Sequence, residues 1–244
     1  MSIPELRKRN YPEKLLLGSL AGSGTLGLLI PPSIILIIYG VTVQESIANL
    51  FIAGIIPGIM IAIFFMLYVI GWSILNKNIM PKMEETFSLS QKIKQSGQLM
   101  PVIVLIASVI GSIYVGIATA TEAAALGVVG ALILSFFQKS LNKETFKLSL
   151  LGATKTSCMI AFILAGSAFL SLAMGFTGLP RNLAIWINEM SLSPYVLILV
   201  LTFFYIILGM FLDGISAVVL TMAIIEPMIR QAGFDMIWFG IFLV

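Results

Sequence analysis

The sequence holds 244 residues, 59% of them hydrophobic and only 10% charged, with a net charge of +3 and a mean hydropathy of +1.07. Soluble domains carry about 25% charged residues, and part of any globule must face water, so lipid is the solvent for most of this chain. There is no histidine and one cysteine, Cys158, which excludes zinc sites, Cys–His nucleophile pairs and a disulfide framework. The basic residues are too dispersed for a nucleic-acid face.

The chain opens on a polar stretch, "MSIPELRKRNYPEK", with no apolar h-region, so no signal peptide is expected. Uncharged runs long enough to cross a bilayer follow at 15–44, 46–76, 95–121, 123–138, 156–180 and 190–212. A shorter apolar run covers 214–225 and another covers 236–244. Cys158 falls inside one of the long runs and reads as a small buried hydrophobe.

The first run contains "GSGTLGLLIPPS" at 22–33. Gly22, Gly24 and Gly27 match G-x-G-x-x-G, and Glu45 follows at a suggestive distance. A dinucleotide loop needs a strand before the glycines and an uninterrupted helix after them. Pro31 and Pro32 forbid that helix, because they lack N–H donors and clash with the preceding turn. The pattern predicts a broken transmembrane helix instead, with halves at 14–22 and 33–41. Carbonyls left unpaired between the halves cost several kcal/mol each in hydrocarbon unless something satisfies them. Such backbone is tolerated where it lines a cavity and coordinates an ion. The half-helix N-terminus near Ser33 offers donors to an anion. A kink that only permits close helix packing is the plainer alternative.

A second span covers 47–75. Residues 76–98 form the longest polar stretch and read as a connector with an amphipathic helix, or equally as a flexible linker. Two further spans share 99–138, and Glu122 in "TATEAAA" opens the second with a charge that suits the helix dipole. A fifth span covers 148–174, and 180–191, with Trp186, suits a short interfacial helix. The segment from Ser193 onward reads as two apolar arms of about 17 and 15 residues around a polar tip, Asp213–Gly214. Low charge at both ends suggests a re-entrant hairpin entered from outside; two full spans are the other reading. Asp213 is an acid deep in the apolar region, hence a functional candidate or a helix cap.

Lysine and arginine set the orientation. Arg7, Lys8, Arg9 and Lys14, then Lys77, Lys82, Lys92 and Lys94, then Lys139, Lys143, Lys147 and Lys155 form three clusters. All three belong on the cytoplasmic side by the positive-inside rule. The loops at 41–46, 112–121 and 175–194 hold one basic residue, Arg181, and belong outside.

Residues 3–18 and 225–240 align without gaps: Ile3 meets Ile225, Lys8 meets Arg230, Glu13 meets Asp235 and Gly18 meets Gly240. Because the charges send the two following helices in opposite directions, the match suggests an inverted repeat, a common plan in secondary transporters. On that plan a second Gly-rich stretch and Pro-Pro would follow near position 249 of a longer protein.

Four motifs, "GSGTLGLLIPPSIILIIYG", "LFIAGIIPG", "ATEAAALGVVGAL" and "GMFLDGISAVVL…P…GFD…FG", resemble the large membrane subunit of tripartite ATP-independent periplasmic (TRAP) transporters. The resemblance covers essentially the whole chain. The family's first scaffold helices, first hairpin and closing Pro-Pro are missing, so the chain looks partial. The resemblance implies an all-α, polytopic membrane fold of the ion-transporter-superfamily kind, an inverted-repeat elevator with a broken helix and a re-entrant hairpin. It divides the chain into 1–41 (end of the first repeat), 42–98 (a span and the cytoplasmic connector), 99–193 (scaffold and interfacial helices) and 194–244 (hairpin and start of a second broken helix).

The function implied is sodium-driven import of a small organic anion, a carboxylate or sugar acid. A periplasmic substrate-binding protein delivers it, and a small membrane subunit braces the complex in the bacterial inner membrane. Carried onto this sequence, carbonyls of Gly27, Ile30 and Pro32 would hold one sodium ion, and Gly209 at the hairpin tip would serve a second. Thr25 and Ser33, which flank the break, and Asp213 are the substrate candidates; packing-only hydroxyls remain an open reading for the first two. No cofactor beyond the sodium ion is implied. No phosphate-binding loop is present for ATP, so an ion gradient or simple diffusion must supply the energy. A passive channel or a non-transporting assembly subunit is the alternative. An enzyme is not expected, since only Asp213 lies deep in an apolar region and histidine is absent.

Overall fold

The computed structural model describes residues 2–8, 11–77, 79, 97–178, 182–183, 185 and 193–244. Among them the regular structure is helical, with no strand. The helices are α1 (Ser2–Lys8), α2 (Glu13–Leu29), α3 (Ile34–Val43), α4 (Ile47–Leu75), α5 (Met100–Tyr114, entered through a 3-10 turn at Gly97–Leu99), α6 (Ala120–Phe137), α7 (Lys143–Thr177), α8 (Pro194–Gly209), α9 (Gly214–Gln231) and α10 (Met236–Leu243). By length and composition α4, α6, α7 and α9 can each cross a membrane, and α2 with α3 adds a fifth, interrupted span. The chain is therefore an all-α, multi-pass membrane protein. The connector helix expected within 76–98 and the interfacial helix expected at 180–191 lie for the most part outside the described residues.

Side-chain caps decide where most of these helices begin. Asn142 accepts from the Thr145 N–H, Ser193 from Val196 and Asp235 from Trp238, each supplying a partner to an N–H that the helix itself cannot satisfy. Thr119 and Glu122 cap α6 reciprocally. The Glu122 carboxylate accepts from the Thr119 N–H at 2.8 Å, and the Thr119 hydroxyl accepts from the Glu122 N–H at 3.4 Å. At the other ends, Gln44 closes α3 and Gly178 closes α7 in the left-handed conformation.

The chain divides into two compact units. The first joins residues 1–32 to 54–134. Here α2 lies against α4: a side chain on Gly22 would stand 2.8 Å from the Phe65 ring, and one on Gly58 2.8 Å from Ile30. In the same unit α5 and α6 form a helical hairpin, turned at Gly116 (φ +74°) and closed where Gly130 meets Leu105 and Gly127 meets Val109. Small residues allow this approach in lipid, where packing rather than the hydrophobic effect holds helices together.

The second unit joins 33–53 to 135–244. Its core is built from Ile35, Tyr39 and Val43 of α3, Leu50 of α4, Leu197 and Leu201 of α8, Val218, Met222, Ile225 and Ile229 of α9, and Met236 and Phe239 of α10. The long α7 shows one narrow face to this unit and is otherwise exposed. Cys158 sits on its exposed side, contrary to the burial expected of it. Where the solvent is lipid, an apolar neighbourhood in the sequence no longer implies an interior position.

Candidate functional site

The helix does break before Ser33, but later than the glycine pattern implied. α2 runs unbroken through Gly22, Gly24 and Gly27 to Leu29, and only residues 30–33 are unwound. The expected halves at 14–22 and 33–41 are therefore corrected to 13–29 and 34–43. The physical reason lies in the donors. Glycine in a helix costs about 1 kcal/mol relative to alanine but keeps its N–H, whereas proline has none to give.

The last helical bond runs from the Ile30 N–H to the Leu26 carbonyl, 2.8 Å. Ile30 then turns extended (φ −73°, ψ 122°). In a continuous helix the donors to the Gly27 and Leu28 carbonyls would come from positions 31 and 32. Both positions are proline, joined by a cis peptide bond. Gly27 thus stands in the final turn of α2 beside open space, Ile30 forms the break and Pro32 is exposed within it. Thr25 is exposed and its hydroxyl donates back to the Gly22 carbonyl, 2.7 Å, which satisfies it on its own helix.

Ser33 is fully buried and caps α3, its Oγ accepting from the Leu36 N–H at 3.3 Å. The hairpin supplies a second helix start of the same kind. α8 ends at Gly209, which is still helical, and residues 210–213 make the turn. Asp213 then caps α9: one carboxylate oxygen accepts from the Ser216 N–H at 3.2 Å, the other from the Ser216 hydroxyl at 2.6 Å. The arms measure 16 and 18 residues, against the expected 17 and 15, because α9 continues through Pro227 to Gln231.

The two helix starts come together. A side chain on Gly214 would stand 2.5 Å from Ile35 Cδ1, so the first turn of α9 meets the first turn of α3 with the Ile35 terminal methyl lying over the glycine. At their far ends, Arg230 of α9 donates to the Val43 carbonyl at 3.2 Å and pairs with Glu45 at 3.5 Å. Contacts made start to start and end to end mean that α3 and α9 lie side by side in the same sense. Their positive ends converge at Ser33, Ile35, Asp213 and Gly214. Each cap occupies one first-turn N–H, and the helix geometry leaves the neighbouring first-turn donors for other partners. Among the described residues no three of His, Cys, Asp or Glu gather as a metal cluster; what this region offers a cation is backbone oxygen.

Residues 1–244 match the family model described as "Tripartite ATP-independent periplasmic transporter, DctM component". The chain belongs to this family. It is 29% identical to the C4-dicarboxylate TRAP transporter large permease protein DctM of Pseudomonas aeruginosa, over 100% of this chain and 57% of that protein. It is 31% identical to the protein of the same name in Rhodobacter capsulatus, over 99% of this chain and 58% of that one. It is 28% identical to the isethionate TRAP transporter permease protein DctMQ of Oleidesulfovibrio alaskensis, over 100% of this chain and 38% of that protein. This DctM-family chain thus spans somewhat more than half the length of the first two relatives.

In this DctM-family chain the break, its flanking hydroxyls and the acidic hairpin tip were visible in the sequence. The partners of the tip were not. Ile35, which meets Gly214, is one apolar residue among several after Ser33, and Arg230 and Glu45, which pair at the far ends of the two helices, stand 185 positions apart in the sequence. Opposite charges at the ends of two apolar segments were the one available sign of that pairing.

Proposed function

We propose that the complete protein imports a small organic anion across a bacterial inner membrane at the expense of an inward sodium gradient. This chain would supply the broken helix and one hairpin of the permease. The observation that carries the reading is the interruption at Ile30–Pro32 within an otherwise apolar span. Proline at position 31 denies the Gly27 carbonyl its helical donor, and in hydrocarbon that deficit calls for a substitute partner. A hard cation prefers such oxygen ligands. The carbonyls of Gly27, Ile30 and Pro32 hold one sodium ion on this reading, and Gly209, closing the first hairpin arm, contributes to a second.

The anion binds toward the paired starts of α3 and α9, where Ser33 and Asp213 are the capping side chains; Thr25 is a candidate by its place in the sequence before the break. C4-dicarboxylates and isethionate, named for the relatives, are small organic anions, which supports this substrate class. A periplasmic binding protein delivers the substrate, a small membrane subunit braces the permease, and no nucleic acid takes part. The hairpin is re-entrant from the outside and moves against the scaffold helices as an elevator. The inverted repeat is supported by a matched helix start: α2 starts at Glu13 after the non-helical residues 11–12, and α10 starts at Met236 after the non-helical residues 234–235.

The test is uptake by the full-length protein, reconstituted with its partners in proteoliposomes, with and without an inward sodium gradient. Uptake is expected to require the gradient. Equal uptake in its absence would remove sodium coupling from the reading.

A further inference from the structure

Hydroxyls in the helices of this chain mostly satisfy themselves. Ser19, Ser23, Thr25, Ser108, Ser112, Thr154 and Thr202 each donate to a carbonyl three or four residues back on their own helix, at 2.7–3.3 Å. Ser167 behaves differently. It is the one buried residue of the 35-residue α7, and its hydroxyl crosses to α9 to donate to the Val219 carbonyl at 2.7 Å. The α7 face that bears it, Ile160, Ile163, Leu164, Ser167, Ser171 and Met174, is the part of that helix turned inward.

Two features make this bond easy to break and remake. Val219 lies inside α9, so its carbonyl keeps its own helical donor at position 223 when Ser167 leaves. Ser167, once released, can fold back onto its own helix as the other hydroxyls do. Neither group is stranded in hydrocarbon. The bond within the hairpin is of another kind. Tyr205 of α8 meets Thr221 of α9 at 2.8 Å, and Thr221 also donates to the Ala217 carbonyl at 2.6 Å. Separating the arms would strand the partly buried Tyr205 phenol, which has no main-chain carbonyl of its own helix within reach. The arms therefore stay together while the contact with α7 can let go.

We infer that Ser167 is a positioning residue: its hydroxyl holds the hairpin, as a unit, at one station along α7, and releases it when the hairpin moves. This rests on the transport reading only in requiring that the hairpin moves at all.

The test uses the full-length protein with native cysteines replaced and Phe211→Cys at the exposed hairpin turn as a reporter. A small membrane-impermeant thiol reagent is applied from each side of sealed vesicles in turn, without substrate, and the ratio of the two labelling rates is read. Losing one hydrogen bond from one station should shift that ratio by about three- to tenfold in Ser167→Ala. Ser167→Thr, which keeps a hydroxyl, should restore it, and Ser171→Ala, on the same face, should leave it unchanged. Should the alanine variant fail to reach the membrane, Ser167→Thr and Ser167→Val have matching shapes and differ in the hydroxyl, so their comparison carries the same test. A ratio unmoved by loss of the hydroxyl, or moved equally by Ser171→Ala, overturns the inference. A merely structural serine would lower the thermal midpoint and leave the ratio alone. The labelling uses no sodium gradient, so its failure is distinct from a failure of sodium coupling.

Discussion

Tyr39 is wholly buried, and its phenol donates to the Met236 carbonyl at 2.6 Å, tying α3 to the first turn of α10. Gly240 makes room for the ring: a side chain there would stand 2.5 Å from Tyr39 Cε1 and 3.0 Å from Leu50 Cδ2. Since the hydroxyl bond fixes the ring on one side and Leu50 blocks the other, neither neighbour can yield cheaply. Gly240→Ala should therefore cost about 1–3 kcal/mol, the usual range for overpacking. Gly152, exposed on α7 with nothing near it, makes the comparison, because alanine there should gain up to about 1 kcal/mol from helix propensity alone. Unfolding of the detergent-solubilised full-length protein measures both. Equal effects at the two positions would mean that the Tyr39 pocket is not closed. Neither site could be ranked from sequence: both are glycines in apolar runs, and only the distant ring tells them apart.

Between Leu29 and Ile34 the chain makes an element out of two half-spans, and prolines do this more decisively than glycines. The sequence showed that a break was present and spread it over twelve residues; the structure confines it to residues 30–33. Gly22 is spent on contact with Phe65, while Gly24 and Gly27 remain helical beside open space. Hydropathy could mark the candidate site because missing donors are a property of the residue type. It could not show that Gly214 packs on Ile35, since that depends on which helices become neighbours. If Pro31 leaves the Gly27 carbonyl to sodium and the break at 30–33 presents those of Ile30 and Pro32, then a donor at position 31 and a residue at 32 that can continue the helix should close the site. Pro31→Ala combined with Pro32→Ala is expected to raise the sodium concentration for half-maximal uptake tenfold or more, about 1.4 kcal/mol or above. Uptake measured against sodium concentration in proteoliposomes decides this, and an unchanged requirement would place the ion elsewhere.

At the scale of the molecule the surface is apolar. Phe162, Phe169 and Phe176 of α7 are 75–85% exposed, an arrangement stable only where lipid or other protein covers them. This is why helix existence was legible and burial was not. A span announces itself by length and lack of charge, but the same composition serves its inner and outer faces, so Cys158 was misplaced and the narrow inner stripe of α7 went unseen. What remains readable is the direction of crossing, because charge is the one asymmetry that lipid does not hide. Lys139, Lys143 and Lys147 surround the turn between α6 and α7, whereas the α5–α6 turn at 115–119 carries no basic residue. Anionic lipid and the insertion machinery both retain lysine on the cytoplasmic face. A cysteine placed at Ser140 should then react with an impermeant thiol reagent only from the cytoplasmic side, and one at Ile117, which is 77% exposed, only from the outside. The α5–α6 hairpin places these two turns at opposite ends of α6, so they must label from opposite faces whatever the orientation. Labelling of both from one face would mean that α6 does not cross the membrane, and reversed labelling would invert every loop assignment made from the lysines, the entry side of the hairpin included.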